Sequence, residues 1–312
     1  MEAALTGPRP AAILALAAVL VGAAPARAEL PPKQADLFAK LRARVQAVDA
    51  RLDGVLGVYF RDLATGATVE LRSDEVFPAA SSIKLAVLYE LYRQAQEGRV
   101  RLTDLVAPPP HPVPSEGILR LMNSQTSLTV RDIGLLVMSL SDNEGANELI
   151  RRVGLENVNL RLDALSLKMT RLRRLMLDVE AARQGRENVS TPREMARIAE
   201  IVGRGEGLPA ELASDLLTVA TVPDRGSHFR RGLPEDQRAV SKSGTLEGVR
   251  CEAAWVDLPG RSYSAAIMTA YLRRERDGED AIAEISTALY ETFDRLARAS
   301  EHGRLIGNRT TK

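Results

Sequence analysis

Apolar residues recur at helical spacing from Lys33 to Leu52, where Leu37, Leu41, Val45, Val48 and Leu52 form one stripe, and Gly54 ends the run. Val55 to Arg61 and Ala67 to Leu71 carry strand patterns, joined as a hairpin by Asp62-Leu63-Ala64-Thr65-Gly66. After Ser81 and Lys84, apolar residues fill most positions through Tyr92. That predicts a helix buried on nearly all sides and stopped at Gly98. A further helix is expected from Thr129, a good N-cap, through Leu140, and another from Asn143 to Val153 ending at Gly154. The pattern loosens between Leu167 and Thr191, which reads mostly as loop. It becomes helical again from Pro192 to Val202, with Thr191 as cap, and from Leu208 to Val219. Three strand patterns then cluster, Arg238 to Lys242, Val249 to Asp257 and Tyr263 to Tyr271, before a last helix from Asp280 to Leu296.

Strands at both ends of the chain bracket a helical middle. The expected class is α/β of the α+β type: an antiparallel sheet of about five strands drawn from both ends, flanked by helices, with a mostly helical subdomain spanning residues 85 to 220 or so. The proline loop from Pro108 to Pro114 can only be irregular. Residues 1 to 28 read as a signal peptide: Arg9 supplies charge, Ala11 to Ala24 an apolar core too short for a comfortable membrane span, and Ala26-Arg27-Ala28 a small-residue cleavage site. Residues 29 to 312 would then form the exported domain, in the periplasm or outside a bacterium, with no membrane span after cleavage.

Composition narrows the chemistry. A net charge of +1 gives no electrostatic case for nucleic acid. One cysteine, Cys251, excludes an intrachain disulfide and reads as a small strand-packing residue. The three histidines, His111, His228 and His302, are scattered, and neither His-x-x-x-His nor Cys-x-x-Cys occurs, so neither a metal nor a cofactor is expected. No Gly-x-Ser-x-Gly elbow supports a serine–histidine–aspartate triad.

Ser81 and Lys84 stand three residues apart. If Ser81 begins a helix, the two side chains share one face, with the hydroxyl near unpaired backbone N–H groups. A lysine on a buried helix should lose its proton easily, which makes it a base beside a nucleophile. Alone, the pair is common by chance and fits better an N-capping serine with a lysine reaching solvent. Ser141-Asp142-Asn143, between two helices, also works as a capping cluster. Lys242-Ser243-Gly244-Thr245, at a strand end, also works as a turn in which Gly244 admits a close backbone.

Taken together, Ser81-x-x-Lys84, Ser141-Asp142-Asn143 and Lys242-Ser243-Gly244 resemble the motif set of the penicillin-recognising serine hydrolases, closest to the class A serine β-lactamases. Phe77-Pro78-Ala79-Ala80-Ser81, Arg231-Gly232-Leu233-Pro234 and Ser190-Thr191-Pro192 extend the likeness over most of the chain after residue 28. The resemblance implies that Ser81 forms an acyl-enzyme, Lys84 takes its proton, and Ser141 relays a proton to the leaving nitrogen. It further implies that Asn143 binds the substrate amide and Lys84, and that Lys242 and Ser243 bind a substrate carboxylate. It places the oxyanion hole at the N–H groups of Ser81 and Thr245. A small-molecule β-lactam or D-alanyl peptide substrate and a monomer are expected.

One position departs. Class A enzymes carry a deacylating glutamate two residues after the arginine that corresponds to Arg174. Here Met176 stands there, and a thioether cannot activate water. Asp178 and Glu180 are the nearby carboxylates, either substitute bases or ordinary loop charges paired with Arg173 or Arg174. Three readings follow: β-lactam hydrolysis, a D-alanyl peptidase or transpeptidase, and a slow covalent β-lactam binder.

Overall fold

The computed structural model describes residues 30–108, 117–123 and 125–306. Helix α1 (Pro32–Arg51) leads into strands β1 (Val55–Asp62), β2 (Thr68–Leu71) and β3 (Phe77–Pro78), then a 3₁₀ turn, Ala80–Ile83, and α2 (Lys84–Gln96). The middle holds β4 (Leu105–Val106), β5 (Leu128–Thr129), α3 (Val130–Ser139), α4 (Asn143–Val153), α5 (Leu155–Ala164), α6 (Val179–Arg183), β6 (Val189–Ser190), α7 (Pro192–Arg204) and α8 (Ala210–Ala220). The chain closes with β7 (Ala239–Leu246), β8 (Val249–Val256), β9 (Tyr263–Ala270) and α9 (Glu275–Arg298).

Five strands pair antiparallel in the order β2-β1-β9-β8-β7, so the sheet is built from both ends of the chain as expected. All eight residues of β8 and of β9 are buried, because helices cover both faces. Alternation assigns them to two cores. Cys251, Ala253 and Trp255 face α2, α7 and the helical middle, whereas Ala254 and Val256 face α1 and α9. Helix α2 lies in the first core with every residue from Lys84 to Tyr92 buried.

Several boundaries differ from the sequence reading, for physical reasons. The α-helix begins at Lys84, not Ser81, because Ala80 sits at φ +45° and the next turn is wound tight. In a 3₁₀ turn residues i and i+3 eclipse, so Ser81 and Lys84 still share a face. Lys242, Ser243 and Gly244 lie inside β7 rather than at a strand end. Helix α5 lies where the sequence pattern predicts no element; Leu155, Val158 and Leu162 at helical spacing pack it on the core. The Leu167–Thr191 loop contains α6 and ends in β6, which pairs Ser190 with Phe77. The N-caps fit: Thr129 accepts from Asp132 N–H and Thr191 from Glu194 N–H. The signal-peptide reading and most of the proline loop fall outside the described residues. Among the described residues no helix is long and apolar enough to cross a membrane.

Candidate active site

Three segments converge on Ser81. The first is its own turn. Ala79 and Ala80 are buried, and the Ala79 carbonyl accepts from Ser82 Oγ at 2.6 Å and Cys251 Sγ at 3.1 Å, while the Ala79 N–H donates to Asn188 at 2.8 Å. These contacts pin the strained backbone beside the nucleophile. Burial pushes the Cys251 thiol up to about 11, which leaves it a protonated donor within the packing.

The second segment meets Lys84, which is fully buried. Its Nζ lies 2.6 Å from the Ser141 carbonyl, 2.8 Å from Asn143 Oδ1 and 3.1 Å from Ser141 Oγ. Burial, reinforced by the charge of Lys242, holds its pKa well below the ordinary lysine range, against the opposite pull of Asp142 and Asp224. A neutral amine has two N–H groups and one lone pair. The hydrogens suit the two carbonyl-type acceptors, and the lone pair is left for a hydroxyl. No direct hydrogen bond joins Lys84 to Ser81 in this state; its three partners are all on the second segment. Asp142, between the two functional candidates, is a scaffold residue. Its Oδ1 caps α4 at Gly145 N–H, and its Oδ2 accepts from the N–H groups of Ile118 and Leu119 at 2.8 and 2.9 Å.

The third segment is β7, an edge strand with one side unpaired. Gly244 is required there: a Cβ would stand 2.5 Å from Cys251 Sγ and 2.9 Å from the Ala80 Cβ. Ser243 N–H points off the sheet edge, donating to Asp224 Oδ2 at 2.9 Å. Backbone N–H groups two apart in a strand point the same way, so Thr245 N–H faces the cleft. Lys242 Nζ and Ser243 Oγ also donate to Asp224 Oδ2, each at 2.6 Å. Burial pushes the Asp224 carboxyl up, but the Lys242 charge and these hydrogen bonds outweigh it and lower its pKa.

Ser81 stands between two lobes of one cleft. The larger, about 540 Å³, is lined by Ser141, Asn143, Asp224, Arg225, Ser243 and Thr245. The smaller, about 360 Å³ and more apolar, is lined by Met176, Leu177, Val179, Glu187 and Thr245 among others. The side chain of Met176 is buried, and its backbone is clamped by Asn147, whose Oδ1 accepts from Met176 N–H at 2.7 Å. Asp178 and Glu180 do not join the site: both are exposed, Asp178 capping α6 and Glu180 facing Arg183. Glu187, a residue the sequence reading passed over, does face Ser81's cleft. It is bound to Arg174 at 2.6 Å, closing the base of the loop. No cluster of metal-ligating side chains exists among the described residues.

Residues 40–293 match the family described as the β-lactamase enzyme family. A β-lactamase of Streptomyces albus G is 31% identical over 87% of this chain and 94% of its own, and one of Streptomyces fradiae is 30% identical over 89% and 93%. The chain belongs to the class A serine β-lactamase-like family. Among solved structures, a β-lactamase of Sphaerobacter thermophilus superposes with a TM-score of 0.74 at 28% identity, covering 82% of this chain and 97% of that one. PBP-A superposes equally well at 26% identity, covering 82% and 96%. A PBP-A mutant solved as an acyl-enzyme with penicillin G gives 0.74 at 27%, covering 85% and 99%. Within this β-lactamase-like fold, Asp224 and Glu187 escaped sequence reading, because Pro223-Asp224-Arg225-Gly226 has the composition of an ordinary turn and Glu187 that of a loop charge.

Proposed function

We propose that this protein is a serine hydrolase that opens β-lactam rings through an acyl-enzyme on Ser81 and releases the product slowly. The carrying observation is an asymmetry. Ser81 shares its cleft with Ser141 and Asn143, which hold Lys84, whereas the buried Met176 stands where the family resemblance puts the deacylating glutamate. Ser81 Oγ attacks the lactam carbonyl as its proton passes, directly or through water, to Lys84 Nζ, whose affinity for the ammonium proton is lowered by burial. Ser141, hydrogen-bonded to Lys84, returns a proton to the ring nitrogen as the C–N bond breaks. The oxyanion lies between the N–H groups of Ser81 and Thr245; one such donor is worth roughly a hundredfold to a thousandfold in rate. Asn143 holds Lys84 and the substrate amide. Water entering the smaller lobe then finds a thioether at position 176, and Glu187, a carboxylate lining that lobe, is held in an ion pair by Arg174.

The same asymmetry, with the likeness to PBP-A, supports a second reading in which the natural acyl donor is a D-alanyl peptide. One sample decides. Residues 29 to 312 are mixed with a chromogenic cephalosporin while absorbance and intact mass are followed together. The expected result is one acyl adduct per chain at Ser81 and turnover far slower than acylation. Fast steady turnover without adduct overturns slow deacylation. Neither adduct nor turnover overturns the Ser81 assignment.

A further inference from the structure

The site carries its own carboxylate. Asp224 Oδ2 receives Lys242 Nζ at 2.6 Å, Ser243 Oγ at 2.6 Å and Ser243 N–H at 2.9 Å, and its Oδ1 receives Gly226 N–H at 3.0 Å. Two of these donors, Lys242 Nζ and Ser243 Oγ, are the ones that the family resemblance assigns to a substrate carboxylate. Asp224 and Lys242 are buried, at 5% and 0% exposure, so the pair is a formed ion pair rather than a passing surface contact. The turn bearing Asp224 is anchored on both sides. Arg225 N–H donates to the Ser139 carbonyl at 3.1 Å, and the N–H groups of His228 and Phe229 donate to Glu252 at 2.9 and 3.0 Å. Asp224 is thus held in place by the backbone around it.

Resting on the acyl-enzyme reading above, we propose that Asp224 fills the anion subsite, so that this protein is acylated by donors whose group beside Ser243 is uncharged, an ester or an amide, in preference to those bearing a carboxylate. A substrate carboxylate entering here meets a like charge and finds the Lys242 ammonium and Ser243 hydroxyl already engaged. A neutral group has neither difficulty. Arg225 lines the same lobe but is exposed, and a solvated guanidinium at the rim is a weak substitute for a buried donor pair.

The test uses a penicillin and its methyl ester with the protein of residues 29 to 312, reading the rate of mass labelling at Ser81. Wild type should label with the ester at least as fast as with the acid. Asp224→Gly, which frees Lys242 and Ser243, should raise the acid-to-ester rate ratio at least tenfold. Should that variant fail to fold, Asp224→Asn is held to the same criterion. A smaller rise in the ratio overturns the proposal and leaves Arg225 as the carboxylate-binding group. Labelling by neither compound in any of the proteins overturns the acyl-enzyme reading itself, and the proposal with it. Labelling with an unmoved ratio overturns the proposal alone.

Discussion

Replacing Lys84 by Met keeps the length and apolar stem of a fully buried side chain, so melting should be little changed, whereas labelling at Ser81 should fall by about 10²–10⁴-fold, the usual worth of a positioned base. Normal labelling of the variant would remove Lys84 from the proton transfer. Met176→Glu places a carboxylate beside Ser81's cleft, and the acyl adduct should then decay faster in time-resolved mass spectra. Asp178→Asn and Glu180→Gln should leave adduct decay unchanged, since neither side chain reaches the cleft; a longer-lived adduct in either would assign it the water-activating role. At this scale the sequence was legible wherever a motif fixes a spacing. Ser81, Lys84, Ser141, Asn143, Lys242 and Ser243 were all named from it; Ser81, Ser141, Asn143 and Ser243 line one cleft, and Lys84 and Lys242 are buried against it. Asp224 was not legible, because a carboxylate in a turn acquires meaning only through what folds against it.

At the scale of elements, the contact between β7 and the Ser81 turn is set by an absent side chain. Gly244→Ala forces a methyl group against Cys251 and Ala80, costing roughly 1–3 kcal/mol as overpacking does. It should also move Thr245 N–H away from Ser81 N–H, so labelling slows by more than the loss of stability explains. A melt and a labelling rate on the same sample check this, and equal rates for wild type and variant would show that the strand does not set the oxyanion hole. Strands and most helices were readable because both sheet faces are apolar and the caps are explicit. The start of α2 was misread by three residues, since nothing local announces that Ala80 takes a left-handed backbone. The interior position of Lys242 in β7 was hidden because lysine and glycine disfavour strands, and tertiary contacts with Asp224 and Cys251 override that preference.

For the molecule as a whole, stability should depend on pH through Glu252, a buried carboxyl pushed up to about 7 chiefly by burial, with Asp224 adding to the rise. An unfolded glutamate titrates near ~4.3. The folded chain therefore holds this proton more tightly, and the contribution is full below pH ~4.3 and lost as pH rises through about 7. Depressed carboxyls, Glu70, Asp74, Glu206 and Asp224 among them, act oppositely, contributing at neutral pH and failing in acid. In denaturant titrations the advantage of wild type over Glu252→Gln should be greater at pH 5 than at pH 8; equal gaps would contradict the assignment. The sheet drawn from both chain ends has a kinetic consequence as well. Cys251 reaches the Ala79 carbonyl across 172 residues of sequence, and β1 pairs along its whole length with β9. Closing such loops comes late and slowly in folding. The nucleophile's turn thus receives its far wall only when the final strands dock, and a chain emerging during synthesis holds Ser81 and Lys84 without a site. In refolding from denaturant, helical signal should return well before the capacity to be labelled, and that capacity should reappear together with the slowest phase.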